Sequence, residues 1–339
     1  MNRRGYVAAL LLVAFFYCPN PVSRESLYRT TGKFISSTQN AIRDESAILW
    51  RQPEDISSLD MLNGKGGKVN CPKGPFTFLK EKMSGTSPKF VVRDSSGSKW
   101  KVKLGPEARP ETAATRLVWA VGYFTDEDYF LPEITVHGMK KLKRGQEFVS
   151  KDGTVHGAML ERYERGRKAV GKWNWRNNPF SNTRELRGLV VMMSLINNWD
   201  IKTSNNTISR VGKEHRYLVS DLGASIGSAG FWSHSKGDLQ AYRRSKFVKK
   251  ISAERVDLRL ATIPPLRYLW VLPVYLKRTE FANLAEDLPE SDVEWIGHLL
   301  SQLSSRQIAD AFRAGGFSSD EVEGYTDEVR KRIEELCRL

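Results

Sequence analysis

Apolar and polar positions alternate over Trp100-Lys101-Val102-Lys103-Leu104, the period-two pattern of a strand with one buried face. Two short apolar runs precede it, Phe76 to Leu79 and Lys89 to Arg93. The turn clusters Met83-Ser84-Gly85-Thr86-Ser87 and Asp94-Ser95-Ser96-Gly97-Ser98 punctuate them, so the three runs predict an antiparallel meander. The period then changes. Ala114, Leu117, Val118 and Val121 recur at helical spacing behind Pro110, predicting a helix from Glu111 to about Tyr123. Further strands are expected at Ile134 to Val136 and Ala158 to Tyr163, a loop over Asn174 to Asn182, and a strongly apolar helix from Arg184 to Asn197. Beyond residue 250 the pattern reads as helices: Ser252 to Ala261, Pro265 to Leu276, Asp292 to Leu303, Ser305 to Ala314 and Asp320 to Leu336. Strands first and helices afterwards predict an α+β chain with a small β-rich lobe and a larger helical one.

Composition narrows the function classes. The chain has 339 residues, 40% apolar and 10% aromatic, enough for a sizeable core and too much for wholesale disorder. Lys and Arg number 53 against 39 Asp and Glu, a formal charge of +14. That favours anionic partners: phosphorylated small molecules, an anionic acceptor or a phospholipid surface. Nucleic acid is the weaker reading, because the basic residues are scattered and no zinc-finger spacing accompanies them. The five histidines form no HExxH, and no CxxC occurs, which argues against structural zinc. Cys71 and Cys337 could pair in an oxidising compartment or stand as free thiols.

Arg3 and Arg4 precede an apolar run from Tyr6 to Tyr17, followed by Cys18-Pro19-Asn20-Pro21. A short basic stretch, about a dozen apolar residues and a breaker is the layout of an export signal or short anchor. The expected organisation is therefore residues 1–21 as signal or anchor, 22–74 as extension or linker, 75–163 as the β-rich lobe and 164–339 as the helical lobe. The expected location is exported or membrane-anchored, in the cell envelope.

The stretch Asn198-Trp199-Asp200-Ile201-Lys202-Thr203-Ser204-Asn205-Asn206 follows the apolar helix. Val219-Ser220-Asp221-Leu222-Gly223 comes after it, across what reads as a short hairpin. An Asp with an Asn five residues on presents a carboxylate and an amide oxygen from one tight turn, and a second Asp arrives from the hairpin. Phosphoryl transfer needs such a set: one carboxylate near the acceptor hydroxyl, and oxygen ligands for Mg²⁺ against a triphosphate. Each motif alone is common in loops. Their order and spacing carry the signal.

Asp-x-Lys-x-x-Asn followed by Asp-Leu-Gly resembles the catalytic and metal-binding loops of the protein-kinase-like fold. The resemblance covers residues 75–300 and implies a bilobed fold transferring the γ-phosphoryl of ATP to the hydroxyl of a protein, lipid or sugar acceptor. It implies that Asp200 orients the acceptor and Lys202 neutralises phosphate charge, while Asn205 and Asp221 ligate Mg²⁺ or Mn²⁺. Lys103 becomes the nucleotide-binding lysine and Glu111 its ion-pair partner, with Glu107 as the fallback. Ser84, Gly85 and Thr86 occupy the place of a phosphate-covering loop, and Glu161-Arg162-Tyr163 that of the adenine-holding hinge. The family's His-Arg before the catalytic Asp is Asn198-Trp199 here, no full G-x-G-x-x-G occurs, and the gap from Lys103 to Glu111 is short. These departures are similar to the atypical branch: HipA-type, phosphoinositide-kinase-like and secretory-pathway kinases.

Three other readings use overlapping residues. The same fold could serve as a nucleotide-binding pseudokinase, a scaffold at a membrane. Gly223-Ala224-Ser225-Ile226-Gly227 matches the nucleophile elbow of serine hydrolases, which requires a strand before it and a helix directly after. Lys172-Trp173-Asn174-Trp175-Arg176 could stack bases or sit at a membrane interface, against a packed loop as the plainer expectation. The basic stretch Lys236 to Lys250 falls where an activation segment would run.

Overall fold

The computed structural model describes residues 46–228, 235–260, 281 and 283–339. The expected signal, Cys18 and the expected helix Pro265 to Leu276 lie outside them. Among the described residues no helix is long and apolar enough to cross a membrane.

After β1 (Ala47–Ile48), the strands β2 (Phe76–Lys82), β3 (Lys89–Arg93), β4 (Lys99–Lys103), β5 (Asp128–His137) and β6 (Thr154–Arg162) close a barrel in the order β2-β3-β4-β6-β5. The meander expected from the pattern is β2-β3-β4, paired antiparallel with Val92 opposite Trp100 and Phe90 opposite Val102. Alternation puts Phe90, Val92, Trp100 and Val102 inside the barrel. The inward Trp100 indole donates to Asp94 Oδ2 at 2.8 Å, which satisfies its one buried polar group. Helix α1 (Ala108–Ala120) sits between β4 and β5. It starts three residues before the expected Glu111, and Arg116 on its inner face pairs with buried Asp128 at 2.8 Å.

The described part of the expected linker is packed. Ile56 and Met61 are buried with Leu117 and Val118 of α1 in the larger core. Cys71 and Cys337 are both free thiols.

A second sheet, β1-β9-β8-β7, uses β7 (Arg167–Gly171), β8 (Asn206–Val211) and β9 (Glu214–Val219). Helix α2 (Arg184–Leu195) is N-capped by Thr183, whose hydroxyl accepts from Leu186 N, and is buried along nearly its whole length, as its apolar run requires. Around it lie α3 (Leu239–Arg244), α4 (Glu290–Ser301), α5 (Ser305–Ala314) and α6 (Ser319–Cys337). Ser304 with Gln307, and Ser318 with Glu321, form capping boxes that start α5 and α6. Fully buried Arg332 of α6 donates to Leu195 O at 3.1 Å, Tyr242 O at 2.7 Å and Ser245 Oγ at 2.9 Å. It thereby ties the C-terminal helix to the end of α2.

One expected helix is a hairpin instead. Over Ser252 to Ala261 the chain forms β10 (Val248–Ser252) and β11 (Arg255–Leu258), turning at Glu254 with φ 59°. Val256, Leu258 and Leu260 alternate at period two, which would put Leu258 on the opposite side of a helix from the other two, and pairing with β12 (Leu288–Pro289) completes the strand.

Candidate active site

A cleft of about 640 Å³ opens between the barrel and the second sheet. Ten residues singled out in the sequence line it, Ser84, Gly85, Thr86, Lys103, Glu111, Glu161, Asp200, Lys202, Asn205 and Asp221, as does the fallback Glu107, whereas Arg162 and Tyr163 of the expected hinge do not.

Lys103 ends β4, and its side chain is 2% exposed. Its ammonium contacts Glu111 of α1, Asp221 Oδ1 at 2.5 Å and Glu107 Oε2 at 3.6 Å. Burial works against the ammonium, but the three carboxylates outweigh it and hold its pKa well above the usual lysine value. Burial pushes Glu111 up to about 8, Lys103 opposing and Asp221 adding to the rise. For Asp221 the balance tips the other way: Lys103 overcomes burial and lowers its pKa. The pair expected between Lys103 and Glu111 is present, and Glu107 joins it.

Glu107 was only a fallback partner on sequence grounds, yet it connects three segments. Ser87 Oγ donates to its Oε2 at 2.5 Å, and Lys236 Nζ donates to its Oε1 at 2.5 Å. Gly223 explains the glycine of Asp-Leu-Gly, since a Cβ there would stand 2.5 Å from Glu107 Cβ and 3.0 Å from Glu107 O. Asp221 itself has φ 56°, a left-handed conformation that Asp adopts more readily than most residues.

The loop after α2 is fixed by its own polar side chains. Asn197 takes φ 51° and donates to Gly227 O at 2.5 Å, and Asn198 Oδ1 accepts from Asp200 N at 2.9 Å. Asn198 and Trp199, standing where the family has His-Arg, are buried, and Lys236 Nζ lies 5.5 Å from the Trp199 ring centre. Lys202 Nζ donates to Asp200 Oδ2 at 2.5 Å. Asn205 Nδ2 donates to Asp200 O at 2.9 Å and to Asp200 Oδ2 at 3.3 Å, which leaves Oδ1 as its ligand atom. Ser220 N donates to Asn205 O at 3.1 Å and sets the two loops side by side.

For a cation, Glu107, Glu111 and Asp221 each offer a carboxylate oxygen within 4.8 Å of the others. Asp200 stands outside that set. The acids grouped with Asp221 belong to α1 and its N-cap, and the Lys103 ammonium stands among all three.

The Ser84-Gly85-Thr86 loop forms the exposed lip of the cleft. Arg144 holds it from outside through Gly85 O at 2.7 Å and Lys82 O at 3.0 Å, and Gly85 takes φ 74°. Beneath it, Lys89 is pushed to a lower pKa by burial and by the charges of Lys103 and Lys101.

At the opposite end Glu161 pairs with Lys101, its cross-strand partner, and Asp126 pairs with Arg167. Arg162 N donates to Glu127 O at 2.9 Å and Tyr163 N to Lys99 O at 3.0 Å, so both hinge amides are used within the protein. Lys101, Asp126 and Arg167 were missed in the sequence. The Lys101-x-Lys103 alternation was the available signal for the first, since period two places both on one face of β4.

Two competing readings are corrected. Ser225 is fully buried and hydrogen-bonded to no histidine among the described residues. Gly227 and Ser228 are not helical, and the next helix among the described residues is α3, at Leu239, which does not fit a strand-then-helix elbow. Trp173 and Trp175 are each 2% exposed, with ring centres 4.9 Å apart, and Trp173 Nε1 donates to Leu218 O. That run is a packed loop and offers no stacking platform.

No protein-family model matches the chain. No curated protein matches it either. Solved structures do. A proinflammatory kinase of Helicobacter pylori, CtkA, is 10% identical, with 77% of this chain and 96% of that one covered at a TM-score of 0.43. The Golgi casein kinase is 13% identical over 96% of this chain and 91% of that one, TM-score 0.33. The same kinase with Mn/ADP bound is 10% identical over 95% and 90%, TM-score 0.32. The chain's own strand order, with a helix carrying Glu111 set between β4 and β5 and a cleft at the junction of its two parts, is that of a bilobed, kinase-like α+β fold.

Proposed function

We propose that the chain is a metal-dependent phosphotransferase that moves the γ-phosphoryl group of ATP to a hydroxyl. The observation that carries this reading is the single ammonium of Lys103 joined to Glu111 on one side of the cleft and to Asp221 on the other. A buried lysine in this position supplies fixed positive charge for phosphate oxygens.

In this reading Lys103, held by Glu111, contacts the α- and β-phosphates. Lys202 offsets charge on the transferred group. Asp200, oriented by Asn198 and Asn205, accepts the hydrogen bond of the acceptor hydroxyl and directs its lone pair at phosphorus. Asp221 and Asn205, with Glu111 and Glu107 within reach, would hold Mg²⁺ or Mn²⁺. Such a cation neutralises charge on the triphosphate oxygens. The Ser84-Gly85-Thr86 lip covers the phosphates and excludes water. The formal charge of +14 and the exposed Arg243, Arg244, Lys246, Lys249 and Lys250 support an anionic acceptor. The basic and apolar N-terminus supports an envelope location.

The test uses the full chain with Mg²⁺ or Mn²⁺. Saturating ATP at about 100 Kd should stabilise the fold by about 2.7 kcal/mol, and labelled phosphate should pass from ATP to the chain itself or to an acidic protein, lipid or sugar. Metal-dependent binding without transfer to any acceptor class would mark a pseudokinase scaffold. Absence of binding would defeat both readings.

A further inference from the structure

The base end of the cleft differs in kind from its phosphate end. Pockets for flat organic ligands are lined mainly by apolar side chains with a few polar groups, but among the described residues lining this cleft polar and charged side chains predominate, and Ala169 is the one with an apolar side chain. The backbone amides of Arg162 and Tyr163, which would otherwise meet a base edge, are already bonded to Glu127 O and Lys99 O. What the described residues leave at that end is two ion pairs. Lys101 and Glu161 are direct cross-strand partners on β4 and β6, with side chains 23% and 19% exposed into the cleft. Arg167 lies beside them, held by Asp126 and by Glu164 at 2.7 Å.

An ammonium has three donors and a carboxylate about four acceptor positions, so their mutual contact spends only part of each. A donor next to an acceptor complements the edge of either purine. Adenine offers an exocyclic amine to Glu161 and N1 to Lys101. Guanine offers O6 to Lys101, and its N1–H and exocyclic amine can both reach one carboxylate, a two-point contact of the stronger, charge-assisted kind. The guanidinium of Arg167 supplies a planar face for either ring.

Resting on the phosphotransferase reading above, we propose that the nucleobase is read by the Lys101–Glu161 side-chain pair, and that the cleft accepts GTP as a phosphoryl donor on a par with ATP. Glu161 is then the residue that sets base preference. The phosphate end, built on Lys103 and Asp221, is common to both nucleotides.

Titration of the full chain with ATP, GTP and inorganic tripolyphosphate, each with Mg²⁺, tests the proposal without any variant. ATP and GTP should bind within about tenfold of one another, and both more tightly than tripolyphosphate. Glu161→Gln should weaken GTP by tenfold or more and ATP by less, because it removes the two-point acceptor, while tripolyphosphate affinity stays put. GTP binding a hundredfold weaker than ATP in the wild-type chain overturns the proposal and leaves the phosphotransferase reading standing. Equal losses of ATP and GTP in Glu161→Gln overturn it also. No binding of any of the three overturns both, and an unfolded variant leaves the wild-type comparison to decide.

Discussion

Lys103 and Asp221 lie 118 residues apart in the chain, and their side chains meet at 2.5 Å across the cleft. The contact brings the end of a barrel strand to the loop that follows the β8-β9 hairpin. One ammonium there faces Glu107, Glu111 and Asp221, and burial answers the excess of carboxylates by raising Glu111 to about 8, where it holds a proton near neutral pH. Lys236 adds a second positive charge at Glu107.

Removing the ammonium should therefore cost stability as well as binding. Lys103→Met leaves buried carboxylates uncompensated, a change expected to cost about 3–5 kcal/mol. Urea unfolding should show this loss, and Mg²⁺ or Mn²⁺ should restore part of it, giving the variant a larger metal-induced thermal shift than the wild type. A variant as stable as wild type in a chelator would contradict the role given to Lys103.

Two aspartates separate binding from transfer. Asp200→Asn should lower turnover by about 10²–10⁴-fold, the usual worth of a positioned acid-base group, while ATP and metal still bind. Asp221→Asn keeps a side chain tolerant of φ 56° and removes the charge, so metal-dependent nucleotide binding should fall first. Calorimetry and a transfer assay on both variants distinguish these outcomes. Equal turnover in wild type and Asp200→Asn would sink the mechanism.

Much of this site was legible because its residues obey short, local rules. Strand alternation placed Lys103, the tight loop placed Asp200 and Asn205 together, and a hairpin of ordinary length delivered Asp221. What escaped was set by tertiary pairing. Glu107 acquires its role only when Ser87, Lys236 and Gly223 converge on it, and Asp126, in the loop before β5, meets Arg167 at the start of β7. The β10-β11 hairpin is a different kind of miss, since Val256, Leu258 and Leu260 stand at alternate positions, the strand period, and the signal was in the sequence.

Gly223 tests whether that convergence matters. Alanine there would press its Cβ to 2.5 Å from Glu107 Cβ, against a residue already bonded to Ser87 and Lys236. Gly223→Ala should cost about 1–3 kcal/mol by overpacking and should weaken tripolyphosphate and nucleotide binding together, because Glu107 carries the lip of the cleft with it. Unfolding curves combined with titrations check both effects. Unchanged binding in a destabilised variant would confine Glu107 to structure.

Strong acid should loosen the base end of the cleft. Burial raises the pKa of Asp126, but Arg167, Lys101 and a hydrogen bond from Ser220 outweigh it and draw it from 3.8 down to about 2. A carboxylate with a depressed folded pKa binds fewer protons in the native state than in the unfolded chain. Its stabilisation is therefore complete above the unfolded value and drains away as pH falls from about 4 through about 2. At 1.36 kcal/mol per pKa unit the contribution is about 2 kcal/mol. Chemical denaturation at pH 7, 4, 3 and 2 should show this loss in the wild type and a flatter profile in Asp126→Asn, which surrenders the stabilisation at every pH. Parallel profiles for the two proteins would mean that Arg167 gains nothing from the charge on Asp126, and that Glu164 alone holds it in place.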